Sequence, residues 1–265
     1  MRALHVPELG AFLRYHDLPG AEPARVYLHG IGLSSASFVH VAAHPSLVGR
    51  RSLLVDFLGF GLSDKPESFG YTVEEHVEVV ERLLDALSLR GCEVVGHSMG
   101  GAIATLLADR RADLVSALVL AEANLVAGAG FFTRRIVARR EEEYVGQGYA
   151  EDMAMFREGA ASDAVLAAVL GMFEATAPWA IHRSAVSLTR ERECPYADVL
   201  LGLHARRTFL VGSRTLDAEE RPPSGDDGAP LGGTDVPVVA VPEAGHAMMF
   251  HNADGFARTV AAALS

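Results

Sequence analysis

Ser98 lies in the sequence Gly-His-Ser-Met-Gly at residues 96–100, directly after the apolar run 92–95 and before a helical pattern over 101–109. A serine hydroxyl becomes an effective nucleophile only when a base accepts its proton and hydrogen-bond donors stabilise the oxyanion that forms. A strand that reverses into a helix within about two residues holds its serine in a strained conformation, and flanking glycines remove side chains that would clash. The pattern therefore predicts that Ser98 is a nucleophile that attacks an activated carbonyl.

Two backbone N–H groups are candidates for stabilising the oxyanion. The N–H of Met99 lies at the start of the predicted helix, beside the nucleophile. A second donor is needed from the loop after an earlier strand, and the segment His-Gly-Ile-Gly at 29–32 follows the apolar run 25–28. We therefore expect the N–H of Ile31 to complete the oxyanion hole.

The base is expected to be a histidine near the carboxyl end of the last strand. Of the eleven histidines, His246 alone lies a few residues past a terminal apolar run, 238–241. His251 falls in or beside the following helix, and His29 and His97 are interpreted as packing residues. His246 is therefore predicted to accept the proton of the nucleophile.

The elements that must position these residues are short apolar runs that alternate with helical patterns. The runs occur at 25–28, 53–56, 92–95, 118–120, 208–211 and 238–241. Helices are predicted where apolar residues recur at three- and four-residue spacing, first after a capping box of Thr72 and Glu75 and finally over 256–263. This alternation is typical of a parallel sheet built from βαβ units.

The strand rhythm stops after residue 122 for about eighty residues, which have a helical pattern rich in aromatic and methionine residues. We predict one core, formed by residues 1–122 and 201–265, that is interrupted by a helical cap, or lid, of residues 123–200. Phe131, Phe156 and Trp179 are candidates to line a substrate pocket. Aromatic residues at helical spacing also seat a cap on its core, and both interpretations are kept.

The sequence resembles enzymes of the α/β-hydrolase fold, in the capped branch that includes esterases, epoxide hydrolases and dehalogenases. The resemblance rests on residues 29–32, 56–66, 96–101 and 245–246, and it covers nearly the whole chain. It implies a mostly parallel eight-stranded sheet flanked by helices, with the helical cap inserted after the sixth strand. It also implies a structural role for segment 56–66, as a turn near the mouth of the pocket.

The third catalytic residue must be a carboxylate that orients the imidazole and balances its charge. Most relatives place an aspartate after the strand that corresponds to 208–211, as Gly-x-x-Asp, but this chain has Thr215 at that point and Asp217 two residues later. Glu122 follows the preceding strand, where the haloalkane dehalogenases that the chain resembles have a glutamate. We favour Glu122 and keep Asp217 as the alternative acid.

The residues and the resemblance together predict a serine hydrolase that cleaves a carboxylic ester, thioester or lactone of a fairly apolar small molecule through an acyl-enzyme. The serine at position 98 argues against carbon–halogen and epoxide chemistry, because those relatives use an aspartate nucleophile. A carbon–carbon bond hydrolase, or a biosynthetic cyclase or acyltransferase, is left open on the same residues. A non-catalytic small-molecule receptor is a further alternative. The predicted chemistry requires no metal and no cofactor.

Composition indicates which kinds of partner and which cellular compartment to expect. The net charge of −11 is unlike that of a nucleic-acid binder. No run of 18 apolar residues occurs, and the N-terminus lacks an apolar stretch of signal length, so we expect neither a membrane span nor a secretory signal. The two cysteines, without Cys-x-x-Cys spacing, suit a reducing compartment. We therefore expect a cytoplasmic protein with a small-molecule substrate, and a homodimer is left open.

Overall fold

A computed structural model of the protein describes residues 1–128, 130–216 and 229–265. The described strands form one eight-stranded sheet of order β1-β2-β4-β3-β5-β6-β7-β8. The strands are β1 Arg2–Val6, β2 Ala11–Leu18, β3 Ala21–Leu28, β4 Arg50–Asp56, β5 Cys92–His97, β6 Val115–Ala121, β7 Arg206–Gly212 and β8 Val238–Val241. The β1–β2 and β2–β4 pairs are antiparallel, and all the other pairs are parallel. The predicted sheet is confirmed.

Two of these strands have no counterpart among the apolar runs of the sequence. Along β2, buried residues alternate with exposed or half-buried ones, and most of β1 is exposed. Strands at the antiparallel side of a sheet need only one apolar face, whereas the central parallel strands are buried on both faces and appear as continuous apolar runs. The N-terminal pair is therefore the part of the sheet that is hardest to detect by sequence pattern.

The described α-helices lie before, after and between the strands. They are α1 Val39–Ala42, α2 Val73–Ala86, α3 Met99–Arg110, α4 Phe131–Val137, α5 Glu141–Glu143, α6 Tyr149–Ala160, α7 Ala164–Phe173, α8 Pro178–Thr189, α9 Tyr196–Gly202, α10 Ser213–Leu216, α11 Met248–His251 and α12 Ala253–Leu264. The capping box predicted at Thr72 and Glu75 is present at the start of α2, where each side chain bonds the backbone of the other residue.

The sheet separates two hydrophobic layers, because successive side chains of a strand point to opposite faces. Leu53 and Val55 of β4 pack with α2 and α3, whereas Leu54 packs with α1 and α12. Phe256 and Val260 of α12 are buried on that second face. Both faces of the central strands are thus covered by helices, as the sequence predicts.

Helices α4 to α9 follow β6 and precede β7, which is the predicted position of the helical insertion. Helix α8 joins this segment to the sheet-forming part of the chain through several hydrogen bonds. The N–H of Ala177 donates to the carbonyl of Gly59 at 2.9 Å, and the N–H of Val73 donates to Oγ of Ser187 at 3.0 Å. The segment is therefore anchored by main-chain contacts as well as by apolar packing.

Within the described residues, we find no single helix that combines the length and hydropathy needed to cross a membrane. Helices α7 and α8 meet these criteria only when taken together, and they are bent by 105° relative to each other.

His76 of α2 is buried in a cluster of aromatic rings. Its ring contacts those of Phe57, Phe60, Phe69 and Tyr71 at centroid distances between 5.1 and 6.1 Å. Burial, with a smaller contribution from the charge of His29, lowers the pKa of His76 to about 3. The folded protein therefore holds this imidazole neutral, while the unfolded chain takes up a proton as the pH falls below about 6.5.

We predict that His76 reduces stability in mild acid. The unfolded state binds the additional proton, so the free energy of unfolding falls by about 2 kcal/mol between pH 7 and pH 5 on account of this residue alone. Urea unfolding of wild type and His76→Gln at both pH values measures this quantity, because subtracting the two pH dependences cancels the cost of the substitution itself. The exposed His40 supplies the control, His40→Gln. Equal pH dependences for wild type and His76→Gln would contradict the prediction.

Candidate active site

Ser98 is the single residue between β5, which ends at His97, and α3, which begins at Met99. It has a φ of 53° and a ψ of −118°, which is a strained conformation for a residue with a side chain. A Cβ atom on Gly100 would lie 2.1 Å from the carbonyl oxygen of Leu28, a contact that no side chain can make. The reversal therefore requires glycine here, and the strand-to-helix turn predicted at Ser98 is the observed one.

The N–H groups of Met99 and Ile31 remain the candidates for the oxyanion hole. Met99 is the first residue of α3, and the N–H groups of a first helical turn have no acceptor within the helix. Ile31 lies in the loop after β3, and both Ile31 and Ser98 line the same cavity. The two predicted donors thus belong to different elements, one adjacent to Ser98 in sequence and the other lining the same cavity.

His29 fixes the peptide unit that carries the N–H of Ile31. Its Nδ1–H donates to the carbonyl of Gly30 at 2.8 Å, and its Nε2 accepts from the N–H of Phe57 at 3.2 Å. These two bonds require a neutral imidazole, and burial lowers the pKa of His29 to about 4. The residue interpreted from sequence as a packing histidine therefore also sets the direction of the Gly30–Ile31 peptide.

Glu122 and His246 come together although 124 residues separate them. His246 Nδ1 lies 2.8 Å from Oε2 of Glu122, and Oε1 of the same carboxylate accepts from the N–H of Gly212 at 2.8 Å. Glu122 is 1% exposed on its side chain, whereas His246 is 50% exposed. A carboxylate in this position makes Nδ1 the protonated nitrogen of a neutral His246 and directs the basic lone pair to Nε2.

Asp217 is the alternative acid, and Thr215 stands where the resemblance leads us to expect an aspartate. Thr215 is buried and lines the cavity. Asp217 lies outside the described residues. The 2.8 Å contact between Glu122 and His246 therefore favours Glu122 as the acid.

Asn124 is a residue of the site that the sequence analysis does not identify. The hydroxyl of Ser98 donates to its Oδ1 at 3.2 Å, and the N–H of Asn124 donates to the carbonyl of Ser98 at 3.3 Å. The only signal in the sequence is its place two residues after Glu122, at the end of the strand next to β5. The hydroxyl of Ser98 thus has a side-chain acceptor that the sequence did not indicate.

Ser98, Glu122 and His246 border a cavity of about 510 Å³. Its remaining surface is mainly apolar, and much of it comes from the segment between β6 and β7. The apolar side chains that line it are Ile31, Leu33, Phe132, Phe156, Val169, Phe173 and Ala247. The cavity therefore has polar residues at its floor and apolar side chains along its walls, which is the usual composition of a small-molecule pocket.

The structure describes two of the three side chains that were predicted to line the pocket. Phe156 lines the cavity as expected, and the side chain of Phe131 lies outside the described residues. Trp179 does not line the cavity in the described part of the chain, and this prediction is wrong. It lies in the first turn of α8, where its side chain packs against the hydrophobic core.

Comparison with known proteins agrees with this architecture. Residues 24–168 match the family model for the alpha/beta hydrolase fold, and the chain belongs to this family. It is 38% identical over 95 residues to a putative hydrolase, LipZ, of Mycobacterium tuberculosis, and the match covers 36% of this chain. The chain spans about a third of that relative's length, since the match covers 32% of it.

Solved structures resemble the chain over almost its whole length. An esterase from Exiguobacterium antarcticum superposes with a TM-score of 0.81 at 18% identity, and the match covers 99% of both chains. An enol-lactonase from Burkholderia xenovorans also gives 0.81, at 20% identity and with the same coverage. At this level of identity the likeness establishes the fold.

We predict that Gly100→Ala destabilises the protein by about 3 kcal/mol or more, because the added methyl group meets backbone that cannot move aside. Urea unfolding monitored by circular dichroism measures the change. Gly171→Ala is the matched control, since a Cβ atom there meets no atom within 4 Å. In α7 that substitution is expected to raise stability by about 0.5–1 kcal/mol. Similar effects of the two substitutions would show that the turn at Ser98 tolerates a side chain.

Proposed function

We propose that the protein is a serine hydrolase that cleaves a carboxylic ester, thioester or lactone of a fairly apolar small molecule through an acyl-enzyme. One observation carries the proposal: the Glu122–His246 pair, with 2.8 Å between Oε2 and Nδ1, borders the same cavity as Ser98 in its strained turn. A nucleophile, a base and a carboxylate that orients the base are the requirements for this chemistry.

In the acylation step, Oγ of Ser98 attacks the carbonyl carbon while its proton moves to Nε2 of His246. The carbonyl π electrons become the oxyanion, which the N–H groups of Met99 and Ile31 stabilise. Collapse of this intermediate breaks the bond to the alcohol or thiol, which takes the proton back from His246. Glu122 balances the imidazolium that exists between these two transfers.

In the deacylation step, His246 removes a proton from water as the water oxygen attacks the acyl carbon. The second oxyanion collapses, the acid product leaves, and Ser98 regains its proton. The hydrogen bond of Ser98 to Asn124 Oδ1 belongs to the resting enzyme.

We assign residues 1–122 and 201–265 to the catalytic core and residues 123–200 to a cap that shapes the substrate pocket. Phe132, Phe156 and Phe173 of the cap contact one another through their rings, with centroids 5.0 to 5.7 Å apart, and all three border the cavity. Such walls favour an apolar acyl or alcohol group over a charged one. The esterase and lactonase among the structural relatives are compatible with this substrate class.

We predict that wild type forms a covalent acyl adduct and that Ser98→Ala does not. The test is a panel of activated esters, thioesters and lactones with acyl chains of increasing length. Removing the nucleophile should lower kcat by roughly 10⁴–10⁶-fold, and mass spectrometry of quenched wild type should detect the adduct on the peptide that contains Ser98.

The exposed Ser116 provides the control, Ser116→Ala, which should leave turnover unchanged. Fluorophosphonate labelling of Ser98 reports the activated nucleophile independently of the substrates in the panel. A wild-type protein that is not labelled and hydrolyses no member of the panel would refute the proposed function and would favour a receptor.

We predict that Glu122→Gln lowers kcat by about 10³–10⁴-fold with little change in KM, because the amide stabilises the wrong tautomer of His246. The substitution is nearly isosteric, and the Gln Oε1 can still accept from Gly212. Asp217→Asn, the matched change at the alternative acid, should retain turnover. Steady-state kinetics on one activated ester decides between them, and the opposite ranking would assign the acid to Asp217.

A further inference from the structure

The ring of His97 is hydrogen-bonded to the main chain of His246. Its Nε2 lies 2.9 Å from the carbonyl oxygen of His246, across 149 residues of sequence. Since a carbonyl can only accept, Nε2 carries the hydrogen and donates it. The two rings lie 4.7 Å apart between centroids, and His97 is buried. The residue next to the nucleophile thus holds the residue that is proposed to be the base.

This hydrogen bond holds the backbone of a loop that has no regular secondary structure around His246. The loop runs from the end of β8 at Val241 to the start of α11 at Met248 and has no strand or helix within it. Its first part is tied to neighbouring segments, because Ala244 O accepts from the N–H of Arg214 at 2.9 Å. At His246 itself, Glu122 holds the ring and His97 holds the backbone. The imidazole is therefore fixed at two points.

We propose that His97 is a positioning residue that fixes the backbone of His246, so that one imidazole stays aligned with both Glu122 and Ser98. The inference rests on the proposed function in that it takes His246 as the base. His97 itself touches no reacting atom in this proposal. Its effect is transmitted entirely through the carbonyl that it binds.

A buried imidazole suits this role because it donates one hydrogen bond without carrying a charge. The titratable groups that face His97 are His29 and His246, and Glu122 faces His246. Burial, reinforced by the nearby His246, lowers the pKa of His97 well below its ordinary value. A cationic donor at this place would oppose the imidazolium that forms on His246 during each turnover, whereas neutral His97 does not.

The test compares His97→Leu, which removes the donor, with His97→Gln, whose side-chain amide can restore it. His97→Leu is expected to lower kcat by about 10–100-fold at nearly constant KM, because a small misplacement of a catalytic group has effects of this size. His97→Gln should recover most of the loss. The acidic limb of the kcat/KM profile should move to lower pH in His97→Leu, because an imidazole less well aligned with Glu122 is a weaker base.

The matched control is His182→Leu. His182 is also a buried histidine whose Nε2 contacts a backbone carbonyl, that of Arg139 at 2.8 Å, but it lies in the cap. This variant should leave the acidic limb in place. Circular dichroism and the unfolding midpoint establish that each variant is folded.

A second measurement separates this inference from the proposed function. In protein labelled with ¹⁵N-histidine, the His246 ring signals should broaden or shift in His97→Leu and return toward wild type in His97→Gln, whether or not any ester is hydrolysed. Unchanged His246 signals in folded His97→Leu would overturn the inference, and so would wild-type kcat with an unshifted acidic limb. Failure of wild type to react with every carbonyl probe refutes only the proposed function.

Discussion

The site depends on the reversal of the chain at Ser98. Ser98 is the single residue between a buried strand and a helix. Its positive φ is strained and persists because the packed elements around it hold the backbone in this conformation. Its N–H donates to Ala121 of the adjacent strand at 3.0 Å, and its carbonyl accepts from Gly101 at 2.9 Å. The packing of β6 and α3 therefore holds the reversal, and the reversal directs the hydroxyl into the cavity.

The remaining polar groups come from the ends of other strands in the same sheet. Ile31 follows β3, Glu122 follows β6 and His246 follows β8, and the carboxyl ends of parallel strands meet at one edge. Two buried imidazoles stabilise this arrangement by donating hydrogen bonds to backbone carbonyls. His29 donates to the carbonyl of Gly30, and His97 donates to that of His246. Since burial keeps both neutral, they add hydrogen bonds to the site without adding charge.

The strands that the sequence predicts differ from those that it misses in how many of their faces are buried. The central strands are buried on both faces, so their apolar runs are visible in any short window of sequence. The strands β1 and β2 need only one apolar face and lack such runs. Trp179 illustrates another limit, because an aromatic residue of a cap helix can face either the pocket or the core. The sequence does not predict the contact of Asn124 with Ser98, apart from the closeness of Asn124 to Glu122 in the chain. The contact arises because Asn124 follows β6, the strand that pairs with β5.

The sequence by itself determined the sheet and the sharp turn at Ser98 with the glycine that it requires at position 100, and it identified Ser98 and His246 as the candidates for nucleophile and base. These are consequences of local sterics and periodicity, which act between residues close in sequence. Only the tertiary structure decided that Glu122 pairs with His246, that Asn124 accepts from Ser98 and that His97 donates to the carbonyl of His246. Each of the contacts to His246 spans more than a hundred residues. They depend on strand order and register, which place hydrogen-bonding atoms to within tenths of an ångström.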